Sequence, residues 1–145
     1  MPSNETNTTP IGKTSATEIT VRGYTLDMYQ QVSNAKFMEL LDEAKWNHYD
    51  GLFESGIFLD LDLALVLVNI NVDYRRPAYL GEIFDIFTSV KRIGDKSITL
   101  QQDCILRTTE EVILEAEVTY VVKDLKKGSA IPLVGKMREM LTRGE

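Results

Sequence analysis

A carboxylate and a helix start stand close together in residues 17–52, and this pairing could do chemistry. Asp27 precedes Asn34 by seven positions. Ser33 or Asn34 occupies the place of an N-cap, and Phe37, Leu40, Leu41, Ala44 and His48 then recur at three- and four-residue steps. The first turn of a helix leaves backbone N–H groups unpaired, and its dipole adds partial positive charge there. Such donors hold a carbonyl oxygen as it gains charge, while a carboxylate attacks the carbon or activates a water. On spacing alone the commoner case is a turn Asp and an ordinary cap.

Other side chains narrow the chemistry. His48 is the sole histidine and Cys104 the sole cysteine, so neither a two-His metal site nor an intrachain disulfide can form. No metal or cofactor is implied. Cys104 lies in an alternating stretch and reads as a buried thiol rather than a nucleophile. Glu43 is a second carboxylate on the same helix, more simply a solvated one, and His48 reads as a core-edge or tunnel residue. The chain has 22 acidic against 16 basic residues, a formal charge of −6. That balance argues against nucleic acid as a partner. An anionic ligand must therefore find a local basic patch, for which Arg75, Arg76, Lys91 and Arg92 are the candidates. Arg75 and Arg76 are adjacent on a strand, so they point to opposite faces and at most one reaches a given phosphate.

The elements that must position these residues follow the hydrophobic pattern. Residues 1–16 are polar and aperiodic, without a targeting pattern, and read as a disordered tail before a single domain over 17–145. No apolar run is long enough to span a membrane, and a cytoplasmic location is expected. Residues 18–22 alternate as a half-buried strand, and a long helix covers 34–50. Gly51 and Gly56 bracket an apolar connection, 52–62, which reads as a pocket wall or a short capping helix. Strands follow at 63–75, 81–93, 97–107 and 112–124, joined by short turns that predict an antiparallel meander. In the first of these Val66, Val68, Ile70, Val72 and Tyr74 are expected on one face, with Asn69, Asn71, Asp73 and Arg75 on the other. A short surface or edge-covering helix is expected at 134–142. The long helix is too apolar to be left on the surface, and a twisted five-stranded sheet can curl around it, giving an α+β class.

Two segments carry a resemblance. Val21-Arg22-Gly23-Tyr24-Thr25-Leu26-Asp27 followed by Gln31-Val32-Ser33-Asn34-Ala35-Lys36-Phe37 resembles the active-site segment of the 4-hydroxybenzoyl-CoA thioesterase family. Val68-Asn69-Ile70-Asn71-Val72-Asp73-Tyr74-Arg75-Arg76-Pro77 is similar to a second segment of its long-chain acyl-CoA branch. The chain departs from that pattern at Leu26, at Gln30-Gln31 where a Gly-His is common, and at Phe37 where a Tyr is common. The resemblance implies the hotdog fold, a five-stranded antiparallel sheet around one central helix, and hydrolysis of fatty acyl-CoA to fatty acid and coenzyme A. It implies Asp27 as nucleophile or base, the Asn34 N–H as oxyanion donor and Phe37 as a substrate contact. It also implies a homodimer or homotetramer with the site between subunits, and the polar face Asn69, Asn71, Asp73 suits a wet two-fold contact. A protein that binds acyl-CoA without catalysis, or a thioesterase for acyl carrier protein, is the alternative.

Overall fold

The computed structural model describes residues 9–142. Within them the chain forms β1 (Ile11–Thr20), α1 (Asn34–His48), α2 (Ile57–Asp60), β2 (Leu63–Tyr74), β3 (Ile83–Ile93), β4 (Ser97–Leu106), β5 (Val112–Asp124) and α3 (Gly135–Thr142). The strands make one antiparallel sheet in the order β1-β3-β4-β5-β2. None of the described helices is long and apolar enough to cross a membrane.

The expected meander holds only for β3, β4 and β5. β2 pairs with β5 at the opposite edge, from Leu63 against Asp124 to Tyr74 against Leu114. No tight turn ties β2 to β3. Residues 75–82, opened by Arg75-Arg76-Pro77, leave the strand direction instead, and proline cannot donate to a ladder. The free side of β3 is taken by β1, with Ile19 against Phe84. β1 also begins earlier than the hydrophobic alternation suggests. Ile11 pairs with Val90 and Ser15 with Thr88 around a register shift, so residues 11–16 belong to the sheet rather than to a tail. Main-chain pairing on an edge strand needs no apolar side chain, which is why the pattern there is silent. Residues 1–8 of that expected tail lie outside the described residues.

A second register shift, between Leu67 and Asn69, changes the faces of β2. Before it Leu63, Leu65 and Leu67 face inward, and after it Ile70, Val72 and Tyr74 do. Val66 therefore shares the outer face with Asn69, Asn71 and Asp73, not the face of Ile70 as strict alternation predicts.

The core lies between α1 and the inner sheet face. Phe37, Leu41, Ala44 and His48 are buried on the helix, facing Phe84, Ile86, Leu100, Cys104 and Leu114. One polar tie crosses this layer. The Gln102 amide Nε2 donates to the Leu41 carbonyl at 2.9 Å and to Thr88 Oγ1 at 3.1 Å. Cys104 is fully buried and burial pushes its thiol pKa far up, so it packs as a small apolar residue. α3 closes the far end: Met137 and Leu141 are buried and the Tyr49 hydroxyl donates to the Leu141 carbonyl at 2.5 Å. α1 packs chiefly on β1 and β3. The inner side of β2 is left half bare, with Leu67, Ile70 and Tyr74 exposed, and Val68 is exposed at the register shift.

Helix α1 carries a test of which side chains hold the fold. Leu41→Ala should cost about 2–5 kcal/mol, because it opens a cavity against the sheet, whereas Glu43→Ala on the solvent side should stay within about 0.5 kcal/mol. Urea unfolding with an unchanged m-value measures both, and Glu43→Ala should also leave any turnover intact.

Candidate active site

The loop between β1 and α1 is fixed before any side chain acts. A 3-10 turn at Gly23–Thr25 closes on Arg22, whose carbonyl accepts both Thr25 N–H and Thr25 Oγ1–H. Asp27 N–H then donates to the Gln31 carbonyl and the Asp27 carbonyl accepts from Gln30 N–H, around a turn in which Gln30 has φ 65°, an uncommon left-handed conformation for a non-glycine residue. Val32 N–H donates to Ala78 O and Ser33 N–H to Thr25 O, each at 3.0 Å, so the chain enters α1 from an anchored direction. Ser33 is the N-cap, its Oγ accepting from Lys36 N–H at 3.1 Å. Phe37 N–H goes to the Ser33 carbonyl. Two donors of the first turn remain: the N–H groups of Asn34 and Ala35 have no hydrogen-bond partner among the described residues, and both residues are exposed.

Asp27 is half-buried. Its Oδ1 accepts from Tyr29 N–H at 2.8 Å and from Gln31 N–H at 3.3 Å, which leaves Oδ2 without a partner among the described residues. The carboxylate is thus oriented through one oxygen with the other available. A cavity of about 330 Å³ opens next to it, lined by Gln31, Val32, Asn34, Phe37, Tyr74, Arg75, Arg76 and Pro77. This is the small end of the range for ligand cavities, room for a reacting head group rather than a whole long-chain ligand. Asp27 does not itself line it and is linked to it through Gln31. Phe37 is buried at the base, edge-on to Tyr74 with ring centroids 6.0 Å apart. Burial raises the Tyr74 hydroxyl pKa, so it stays a neutral donor.

The four cations expected at a phosphate site fare differently. Arg75, at the cavity rim, pairs with Glu115 through Nη2 at 2.8 Å and remains half exposed. Arg76 is more enclosed and forks onto both oxygens of Glu82, at 3.2 and 3.1 Å. Glu82 also accepts Tyr79 N–H, so the pair braces the 76–82 segment that anchors Val32. The hydrogen bonds from Arg76, and secondarily that from Tyr79, hold the Glu82 carboxyl below the usual carboxylate range. Lys91 and Arg92 are not at this site. Both pair with Glu117, roughly 25 Å along β3 from its Ile83 end. Glu43 is exposed on the helix. His48 is fully buried about 20 Å along α1 from Asn34, with Nδ1 2.7 Å from Ser15 Oγ, a tie between helix and β1. Arg22 was not singled out by its pattern. It is exposed beside the 3-10 turn and makes no ion pair among the described residues. Its position next to Gly23-Tyr24 was the only signal available.

Comparison with known proteins adds to this geometry. The sequence pattern described as the thioesterase-like superfamily matches residues 21–141. The long-chain acyl-CoA thioesterase FadM of Escherichia coli strain K12 is 42% identical over 128 residues, covering 86% of this chain and 95% of that protein. A crystal structure of YbaW, a probable thioesterase from Escherichia coli, superposes with a TM-score of 0.81 at 38% identity, over 88% of this chain and 96% of the other. The 1,4-dihydroxy-2-naphthoyl-CoA thioesterase Slr0204 from Synechocystis has a TM-score of 0.77 over 89% and 96%, at 17% identity, a likeness of fold alone.

The Arg76–Glu82 brace makes a pH prediction. A carboxyl with a lowered folded pKa contributes stability above its ordinary value and loses it as pH falls through the lower, folded one. Acid titration of stability should therefore show a loss below the usual carboxylate range that Arg76→Ala removes. That variant should cost about 1–3 kcal/mol at neutral pH, read from urea unfolding at both pH values.

Proposed function

The chain belongs to the thioesterase-like superfamily and is a thioester hydrolase with the hotdog fold, and we propose that it cleaves long-chain fatty acyl-CoA to fatty acid and coenzyme A in the cytoplasm. The observation that carries this reading is the Asn34 and Ala35 N–H pair at the start of α1, without partners among the described residues, together with an oriented Asp27 carboxylate tied to the same cavity through Gln31. In the proposed reaction the thioester carbonyl oxygen lies against those N–H groups. Asp27 Oδ2 delivers the attack, directly or through a water, and charge develops on the oxygen where the helix dipole favours it. Collapse of the intermediate expels the coenzyme thiolate; on the water route this yields the fatty acid at once, and on the direct route it leaves an acyl anhydride on Asp27 that a water hydrolyses to the fatty acid and free Asp27. Phe37 and Tyr74 form an apolar wall behind the carbonyl, which strengthens those hydrogen bonds.

The working unit in this reading is a dimer. β2 is an edge strand of 12 residues with no proline and exposed Leu67, Val68 and Ile70. Such an edge offers unpaired main-chain groups to a second strand, and two copies can satisfy each other about a two-fold axis. The contact would wall in the cavity at Tyr74, which one chain leaves open. Coenzyme phosphates then meet the exposed cations near the rim, Arg75 and Arg22, while Arg76 serves the fold.

Asp27→Asn should lower kcat on palmitoyl-CoA by at least about 100-fold with the fold and the oligomeric state unchanged. Near-normal turnover would remove Asp27 from the reaction. For the coenzyme, Arg75→Ala should raise KM for acyl-CoA several-fold, less so in high salt because exposed pairs are screened. Acyl-pantetheine lacks the nucleotide phosphates, so the same variant should hydrolyse it normally. Equal damage on that truncated substrate would make Arg75 structural.

A further inference from the structure

Lys45 occupies a place where a lysine is costly. Its side chain is only 13% exposed, and its ammonium stands 5.8, 5.7 and 5.1 Å from the ring centroids of Trp46, Phe53 and Tyr120. Among the described residues its one carboxylate partner is Asp42 at 3.0 Å, itself 56% exposed. Burial keeps the Tyr120 phenol neutral, so the rings cover the cation without neutralising it.

The position of this cluster gives it meaning. Tyr120 faces inward and pairs with Leu67 on β2, whereas the cavity beside Asn34 is at the other end of that strand, where Tyr74 meets Phe37. Between the two ends the inner face of β2, with exposed Ile70, is the apolar strip that α1 leaves uncovered. Along α1 the strip runs from Phe37 to Lys45, about 12 Å. Phe53, edge-on to Trp46 at 5.3 Å and to Phe58 of α2 at 5.4 Å, backs the far end.

We infer that Lys45, held in its cage of rings, is the far stop of the acyl-chain strip and sets the chain length this enzyme prefers. The inference rests on thioester hydrolysis at the start of α1. A chain lying from that end gains by burying each methylene until its methyl group reaches the cage. Going further means stripping an ammonium from Asp42 and from the rings, with hydrocarbon in exchange, and a desolvated charge without a partner is strongly unfavourable. The stop is therefore one of charge as well as of size. Lys45 touches no reacting atom. It is a specificity-determining residue.

The test is the profile of kcat/KM over saturated acyl-CoA thioesters from octanoyl to arachidoyl, for the full chain and for Lys45→Ala and Lys45→Met. Wild type should rise with length and then level or fall. Each variant should leave the shorter substrates unchanged and carry the rise to longer ones, at about fourfold for each added methylene that becomes buried. Lys45→Met keeps the length of the side chain and serves if Lys45→Ala does not fold. A folded variant with the wild-type optimum overturns the inference, and so does a uniform loss at every length, which marks a residue of the fold. If wild type hydrolyses none of these thioesters, it is the proposed function that fails, a result distinct from either.

Discussion

One helix is too narrow for the sheet it packs on. A helix with its side chains is about 10–12 Å across, and five strands at about 4.8 Å spacing are about twice as wide. α1 settles over β1 and β3, where Phe84, Ile86 and Val90 become fully buried, and β2 at the other edge keeps an inner face that the described residues leave half bare. Exposed Leu67, Val68 and Ile70 carry a standing cost in water, which a second copy or a hydrocarbon ligand can relieve. The binding surface is thus a consequence of how the core is divided.

The start of α1 is the second fixed point. Its direction comes from Val32 on Ala78 and Ser33 on Thr25, and its free donors come from a cap that takes Lys36 and Phe37 but not Asn34 or Ala35. Gln30, in the left-handed region, lets the Asp27 turn close tightly enough for two N–H groups to reach one carboxylate oxygen. Backbone strain at such a turn persists only where the surroundings determine it, and here the 76–82 segment, braced by Arg76 and Glu82, does so.

Much of this was legible in the residues, for reasons that also explain the rest. The helix start, the strand pattern and Cys104 in the core follow from local periodicity. Thioesterase chemistry followed from two motifs that resemble a known family, and a relative 42% identical to this chain is a thioesterase. The partner of β2 did not, because a strand's neighbours depend on where the 75–82 connection leads, and periodicity carries no such information. A single register shift at Val68 was enough to reverse the face of Val66. Pairing of charges was the least visible. Lys91 and Arg92 read as a basic cluster, but their adjacency in sequence says nothing of Glu117, which the sheet brings opposite them. The strand that holds Ile11 was hidden because edge pairing satisfies the main chain and leaves polar side chains free.

Charge pairing also bears on how an anionic ligand approaches. The outer sheet face carries Asp73, Asp103, Glu115 and Glu117 around a groove, and burial raises the Asp103 carboxyl pKa, the mark of negative groups crowded into poor solvent. Lys91 stands among them, already paired with Glu117. This face therefore presents no net attraction to a phosphate. Arg22 differs, exposed and unpaired among the described residues at the end of the molecule where Asp27 and the α1 N-terminus lie. On a protein with formal charge −6, repulsion elsewhere and one unpaired guanidinium beside a positive helix end together favour entry from that side. The acidic balance that argued against nucleic acid as a partner then helps to orient a smaller anion.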